Sequence, residues 1–444
     1  MAETIRIIDL FAGIGGIRLG VEQAAAAAGY DTRCEFTSEI KPHAIKVLKQ
    51  NHPGEEITGD ITAEENLAKI PEFDILCAGF PCQAFSAAGN RDGFADTRGT
   101  MFFYVEKIIK DHRPKGFILE NVEGLVNHDG GNTLSVILGN LENLGYATSY
   151  RVLNSKNFGV PQERKRIYIV GYNVGTKAKA KKAKKISFDN FPEIHNTLSS
   201  VIESGLPVSD SPFVKRLLEL FTIEELSGKA IKDKRGGESN IHSWDLEMKG
   251  PVSDEEKKFL NKLMTERRKK KWAEKIGIVW MDGMPLTEAY IREFYNKPGL
   301  KKMLNKLTKQ GYLRFEHPKT KVYFKHTAPN GTEVVTSRRV PDETKPKGYN
   351  IVAGKLSFEV GKVMAPGEIA PTLVATDMQH LYVADGAGIR TLSLREGLGL
   401  FGYPMDYKFD IPISDGYDLL GNTVVVPVIK AVAARLINQI YANK

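Results

Sequence analysis

Ile5-Arg6-Ile7-Ile8-Asp9-Leu10-Phe11 runs directly into Ala12-Gly13-Ile14-Gly15-Gly16, and a helical pattern follows through Leu19 and Val21. Strand, glycine turn and helix in that order open a nucleotide-binding α/β unit. Glycines let the backbone approach a ligand closely, and a helix N-terminus offers amides without partners. The spacing is not the full dinucleotide fingerprint, which argues against NAD. A second strand, Thr32 to Ser38, ends at Glu39, where a carboxylate commonly accepts hydrogen bonds from ribose hydroxyls. Asp60, in Gly59-Asp60-Ile61, marks a third strand-to-loop edge. Each carboxylate alone reads more simply as a solvated surface residue. Three contacts in order, at successive strand ends, favour an adenosine-containing cofactor.

Further along, Phe73-Asp74-Ile75-Leu76-Cys77-Ala78 is short and apolar, as a strand covered on both faces should be. Gly79-Phe80-Pro81 ends it, so Cys82 should stand at the carboxyl edge of the sheet, where open α/β sheets bind ligands. A thiolate there attacks carbon well if nearby groups favour its ionisation. Taken alone, Cys82 reads equally as a small buried hydrophobe.

The chain has 444 residues, enough for two or three domains, and 42% of them are hydrophobic, enough for real cores. No run of about 18 apolar residues is evident, so no membrane span is expected, and the N-terminus lacks the apolar core of a signal peptide. Cys34, Cys77 and Cys82 are the three cysteines. They exclude a disulfide framework, show no metal-ligand spacing and fit a reducing cytoplasm. A net charge of +8 with pI near 9.0 is compatible with a polyanionic partner.

With four further motifs, these stretches resemble the DNA (cytosine-5)-methyltransferase family over nearly all of the chain outside its middle third. Asp9-Leu10-Phe11-Ala12-Gly13-Ile14-Gly15-Gly16 is similar to the family's cofactor motif, and Gly79-Phe80-Pro81-Cys82-Gln83-Ala84-Phe85-Ser86 to its nucleophile motif. Glu120-Asn121-Val122, after the strand Gly116-Phe117-Ile118-Leu119, matches the Glu-Asn-Val triplet. Gln162-Glu163-Arg164-Lys165-Arg166 matches Gln-x-Arg-x-Arg and leads into the strand Ile167-Tyr168-Ile169-Val170. Arg390-Thr391-Leu392-Ser393-Leu394-Arg395-Glu396 and Gly421-Asn422-Thr423-Val424 resemble the last two motifs. Any one triplet arises by chance; six in the family's order do not. Thr423, Ser393 and Leu394 depart from commoner family residues, at positions that carry no chemistry.

The resemblance implies an α/β fold: a Rossmann-like, S-adenosylmethionine-dependent mixed sheet with helices on both faces, plus a smaller inserted α+β target recognition domain. Residues 1–187 and 388–444 would form a discontinuous catalytic domain, with 188–387 the recognition domain. It further implies S-adenosylmethionine against Phe11, Gly13, Gly15, Glu39, Ile40, Asp60, Ile61, Met101 and Asn422. Cys82 would add to carbon 6 of cytosine, making carbon 5 nucleophilic toward the methyl group. Glu120, as an acid with a pKa raised by burial, would hold ring nitrogen 3. Arg164 would hold the base's carbonyl oxygen and orient Glu120, while Arg166 would support the loop or a phosphate. Phe80, Pro81, Gln83, Ser86, Arg91, Asn121, Val122 and Gln162 complete the substrate side, Asn121 chiefly by shaping its turn. Attack from above the ring requires the base to leave the helix. The segment Gln83 to Arg98, rich in Ala, Gly, Asn and Asp, reads as the loop that closes over it.

Between the motifs lies the middle third. Six lysines in the nine residues Lys177 to Lys185 read as a solvated face or a nonspecific DNA contact. Ser253-Asp254-Glu255-Glu256 predicts a capping box opening a helix with Phe259, Leu260, Leu263 and Met264. Tyr312 to Phe315 and Lys321 to Phe324 predict strands, and Asn330-Gly331 a hairpin tip. By the resemblance this region reads base edges, with Gly236 to Trp244 and the pair Arg338-Arg339 as candidates. Ile369 to Asp377 reads as a hinge, and the final helix, Pro427 to Ala442, should return to the first domain.

The expectation is therefore a site-specific DNA cytosine-5 methyltransferase, the modification enzyme of a restriction system. Its partners would be double-stranded DNA and a cognate endonuclease acting on the same site, with no metal and no membrane, and the enzyme a monomer. Two alternatives stand beside it. An RNA cytosine-5 methyltransferase would carry a much shorter insert than these roughly 200 residues. A catalytically silent DNA-binding protein would have no need of Cys82, Glu120 and Arg164 together.

Overall fold

Seven strands carry the first half of the chain: β1 (Thr4–Leu10), β2 (Asp31–Ser38), β3 (Ile57–Thr58), β4 (Ile75–Ala78), β5 (Gly116–Val122), β6 (Tyr146–Asn154) and β7 (Lys165–Asn173). In the computed structural model they form one sheet of order β3-β2-β1-β4-β5-β7-β6. The structure describes residues 3–81, 101–233, 240–327, 333–352 and 358–441. The pairs from β3 to β5 are parallel, and β7 runs antiparallel between β5 and β6. Strand order turns back between β1 and β4, so the ends of these two strands face the crevice where α/β sheets take ligands.

The sequence dictates this burial. Ile5, Ile7, Ile8 and Leu10 of β1 and all of Ile75-Leu76-Cys77-Ala78 are fully buried, as parallel strands covered on both faces must be. On one face Ile8, Leu10, Leu76, Phe117 and Leu119 pack with Phe102, Val105, Ile109, Leu134 and Ile137 from helices Met101–His112 and Asn132–Asn143. The other face meets helices Gly16–Ala27 and Val426–Tyr441. These two helices cross closely: a Cβ on Gly20 would stand 2.6 Å from Ile429 Cβ. No larger residue fits there without separating the helices. An 18-residue stretch within Ile413–Tyr441 has a mean hydropathy of 1.6, enough by length and composition to cross a membrane, but 67% of that stretch is buried. The run is also two helices, Ile413–Asn422 and Val426–Tyr441, rather than one span.

Two compact units result. Unit 1 holds residues 1–204, 366–379 and 392–444; unit 2 holds 205–365 and 380–391. Residues 188–204 and 366–379, expected in the insert, thus belong to unit 1, and 388–391 to unit 2. The reason is backbone pairing: Leu198 and Ser199 donate to the carbonyls of Glu368 and Pro366, and Ala370 to that of Pro161.

Unit 2 is α+β. Its strands are β8 (Ala230–Ile231), β9 (Asn240–Ile241), β10 (Leu313–Glu316), β11 (Lys319–Thr327), β12 (Glu333–Pro341), β13 (Gly348–Ile351), β14 (Lys362–Met364), β15 (Leu381–Asp385) and β16 (Gly388–Thr391). A sheet of order β16-β15-β14-β8-β9 packs around Val214, Leu217, Val363 and Ile389. A second core gathers Trp244, Phe259, Trp272, Leu304 and Tyr349. The capping box predicted at Ser253 is present, with Ser253 and Glu256 bonding each other's backbone amides ahead of helix Asp254–Glu266. β11 and β12 form the predicted hairpin, whose Asn330-Gly331 tip lies outside the described residues.

Candidate active site

At the ends of β1, β2 and β3 the backbone turns on Phe11, Gly13 and Gly15, all with positive φ. The Gly13 amide donates to Glu39 Oε2 at 2.7 Å. Glu39 Oε1 accepts the Ile40 and Lys41 amides, both at 2.8 Å, just ahead of helix Pro42–Asn51. One buried carboxylate therefore braces the turn after β1 against the end of β2. Leu10 pairs with Ser38, and Ser38 with Thr58, so register brings Phe11, Glu39 and Asp60 to one edge. Asp60 Oδ1 accepts the Thr62 amide at 2.8 Å, and Ile61 is buried beside it. Ile40 exposes 67% of its surface, and open space lies beside Gly13, where a Cβ would meet nothing within 4 Å. An adenosine group fits such a place: glycines for approach, a carboxylate for hydroxyls, an uncovered aliphatic side chain for a flat ring. Asn422 is exposed and tied to Asp418, while Met101 starts its helix half-buried against the core.

β4 and β5 bring the second group together. Ala78 pairs with both Leu10 and Leu119, which sets Gly79 beside Phe11 and Glu120. A Cβ on Gly79 would stand 3.7 Å from Glu120 Oε2. The Asn121 amide donates to the Phe80 carbonyl at 2.9 Å, while its Oδ1 accepts the Val122 amide at 2.8 Å. Asn121 thus shapes the turn that leads to Cys82. The Phe80 ring is buried against Phe102, so Phe80 offers this turn its carbonyl; Pro81 and Val122 are exposed. Cys82, Gln83, Ser86 and Arg91 lie outside the described residues.

Glu120 is buried, and its carboxyl is raised above the usual carboxylate range by burial, against the opposing pull of Arg166 and then Arg164. Arg166 Nε lies 3.3 Å from Glu120 Oε1. Strand alternation explains the pairing. Glu120 faces Tyr168 across the ladder, and Arg166, two residues from Tyr168, shares that face on the diagonal.

This reverses the expected roles of the two arginines. Arg164 is 3% exposed, and its guanidinium donates to the carbonyls of Leu373 (2.8 Å), Gly421 (3.1 Å) and Thr423 (2.8 Å). Those donors are spent on the fold, holding the turn that carries Asn422, and burial lowers the group to about 10. The guanidinium in ion-pair contact with Glu120 is thus that of Arg166, and Arg164 acts on it only from a distance. Gln162 is also corrected: it is fully buried, with Nε2 on the Leu400 carbonyl at 2.9 Å and Oε1 accepting the Leu373 amide. Its side-chain amide is an internal tether between the Leu400 carbonyl and the Leu373 amide.

Asp9 was not singled out. Its carboxyl is fully buried with no hydrogen-bond partner, and burial pushes it well up against the pull of Arg18. Among the described residues, no group of three His, Cys, Asp or Glu could hold a metal ion.

A family model, C-5 cytosine-specific DNA methylase, matches residues 5–438. The chain belongs to this family. Type II methyltransferase M.NlaIV of Neisseria lactamica is 56% identical over 443 residues, covering 98% of this chain and 99% of that protein. M.BanI of Aneurinibacillus aneurinilyticus is 40% identical, covering 96% and 94%. In fold, a DNMT2 mutant of Spodoptera frugiperda is similar at a TM-score of 0.50 with 15% identity, covering 98% and 99%. The chain is thus a DNA (cytosine-5-)-methyltransferase, and the Glu120–Arg166 pair lies on the sheet edge of an enzyme of that chemistry.

Proposed function

We propose that this methyltransferase acts on one cytosine within a specific duplex sequence, as the modification enzyme of a restriction system. The observation that carries the chemistry is the buried carboxyl of Glu120, pressed against Gly79 at the mouth of β4 with Arg166 alongside. The restriction link rests on the relatives, which are Type II methyltransferases nearly throughout their length.

In this reading the target base leaves the helix and stacks over the turn at Pro81. Cys82, as thiolate, forms a bond to carbon 6. Glu120, protonated, bonds ring nitrogen 3 and draws the displaced electron pair toward it. Arg166, with N–H groups still to give, takes the base's carbonyl oxygen and holds Glu120 in line. S-adenosylmethionine, when bound, supplies an electrophilic methyl group on a sulfonium. Phe11, Gly13, Glu39, Ile40, Asp60 and Ile61 would hold it, with Gly15, Met101 and Asn422 at the margins. Once carbon 5 has taken the methyl group, its proton leaves to solvent and the Cys82 thiolate departs, restoring the ring. Unit 2 would read the sequence, and the enzyme would work as a monomer in the cytoplasm.

The test is bisulfite sequencing of a plasmid from a methylation-free host that expresses the chain. Protected cytosines within one recurring short sequence are expected. Uniform conversion with soluble protein present would overturn the DNA assignment for this site.

A further inference from the structure

β11 and β12 pair over nine residues each, from Lys319↔Pro341 to Thr327↔Glu333, and among the described residues no third strand joins them. A two-stranded ribbon of this kind is marginal in water unless something packs on it. Yet Lys321, Tyr323, Phe324 and Lys325 are exposed on one strand, and Thr336, Ser337, Arg338 and Arg339 on the other. Tyr323 leaves 63% of its surface open and Phe324 38%. The ribbon is fixed at its root, where Asp342 donates its amide to the Pro318 carbonyl and Arg339 its guanidinium to the Trp280 carbonyl.

Alternation sorts the side chains into two faces. Lys319, Lys321, Tyr323 and Lys325 share one face with Ser337 and Arg339; Thr320, Val322, Phe324, Arg338 and Val340 share the other. The adjacent arginines therefore cannot act together. Arg338 lies 4.6 Å from the Phe324 ring on the second face. On the first, Lys321 covers Tyr323 at 5.0 Å. Neither 319–325 nor 336–341 contains an Asp or Glu. Among the described residues, no carboxylate is ion-paired to Lys319, Lys321 or Lys325.

We propose that the face formed by Lys319, Lys321, Tyr323 and Lys325, with Arg339, is a docking surface for duplex DNA. The major groove admits a two-stranded β-ribbon. Lys319 and Lys321 stand roughly 6–7 Å apart and Lys325 roughly 13 Å beyond Lys321, a line of cations along one face that can meet phosphates along one strand. Tyr323 sits between two of them as a rigid, partly apolar contact. The lysines bind phosphate and carry no sequence information themselves, so this surface sets register and affinity and leaves base reading to other groups. The proposal rests on the DNA substrate assigned above and adds the element that grips it.

The test compares the full chain with a triple variant, Lys319→Ala, Lys321→Ala and Lys325→Ala, and with Arg338→Ala on the opposite face. Binding of a fluorescein-labelled mixed-sequence duplex is titrated by anisotropy at several salt concentrations, and thermal unfolding is checked alongside. Loss of three phosphate contacts should flatten the slope of log Kd against log salt by about 2 to 3. Arg338→Ala should leave the slope as in the wild type. A triple variant with the wild-type slope overturns the ribbon surface while leaving the enzyme assignment intact. A wild-type chain that binds single-stranded RNA but not the duplex overturns both.

Discussion

Two carboxylates on one sheet edge are treated in opposite ways. At the end of β2, Glu39 accepts three backbone amides, from Gly13, Ile40 and Lys41. At the end of β5, Glu120 receives no backbone amide among the described residues and faces a single guanidinium in a buried place. The oxygens of Glu39 are taken up by backbone amides, whereas burial raises the Glu120 carboxyl above the usual carboxylate range. The cofactor half of the edge therefore uses a carboxylate as a brace, while the other half keeps one whose proton can be put to work. Two positions of similar sequence character become different instruments through the donors around them.

The contrast can be broken most completely at Cys82. Cys82→Ala should reduce methyl transfer to background while duplex binding persists; turnover near the wild-type rate would remove it as nucleophile. Next, Glu120→Gln should slow transfer by about 100- to 10,000-fold, with the KM for S-adenosylmethionine nearly unchanged. Because the acid form is the active one, the wild-type rate should fall as pH rises through the elevated Glu120 pKa. Arg166→Ala sharpens the point in two measurements. Loss of its contact should cost about 10- to 100-fold in kcat. Loss of its charge, which pulls the Glu120 pKa down, should move the descending limb to higher pH. An unmoved limb would show that Arg166 does not set that proton.

Glu39→Ala addresses the other half, and should raise the KM for S-adenosylmethionine by about tenfold or more while kcat changes little. A pure kcat effect would place Glu39 with the chemistry instead. Smallest in rate and largest in stability is Arg164→Ala. It leaves three carbonyls without donors and should destabilise unit 1 by about 2–5 kcal/mol, read as a lower midpoint in denaturant.

The fold was legible because its signals are local. Ile5 to Gly16 encodes strand, turn and helix in one stretch, and the Ser253 capping box announces its own helix. The cofactor edge was legible for the same reason, since each candidate ends a strand. The two arginines were not. Both sit in one short motif, and what separates them is that Arg166 lies within the strand Lys165–Asn173 beside Glu120, whereas Arg164 precedes it and is drawn to the carbonyls of Leu373, Gly421 and Thr423. Arg164 and Gln162 find partners at Leu373, Leu400 and Thr423, more than 200 residues away, where no local pattern points. The unit boundaries moved for the same cause, the pairing of 198–199 with 366–368.

The crossing of Gly20 against Ile429 has a consequence for how the enzyme comes into being. Residue 20 leaves the ribosome early and residue 429 late; at roughly 5–20 residues per second, about 20–80 s separate them. Throughout that interval the side of the first helix that carries Gly20 awaits the helix Val426–Tyr441 that will cover it. Unit 2 is synthesised in the gap and can fold on its own schedule, but unit 1 cannot finish. Over that interval the nascent chain is exposed to chaperones and aggregation, and methylating activity can begin only after the helix Val426–Tyr441 has docked.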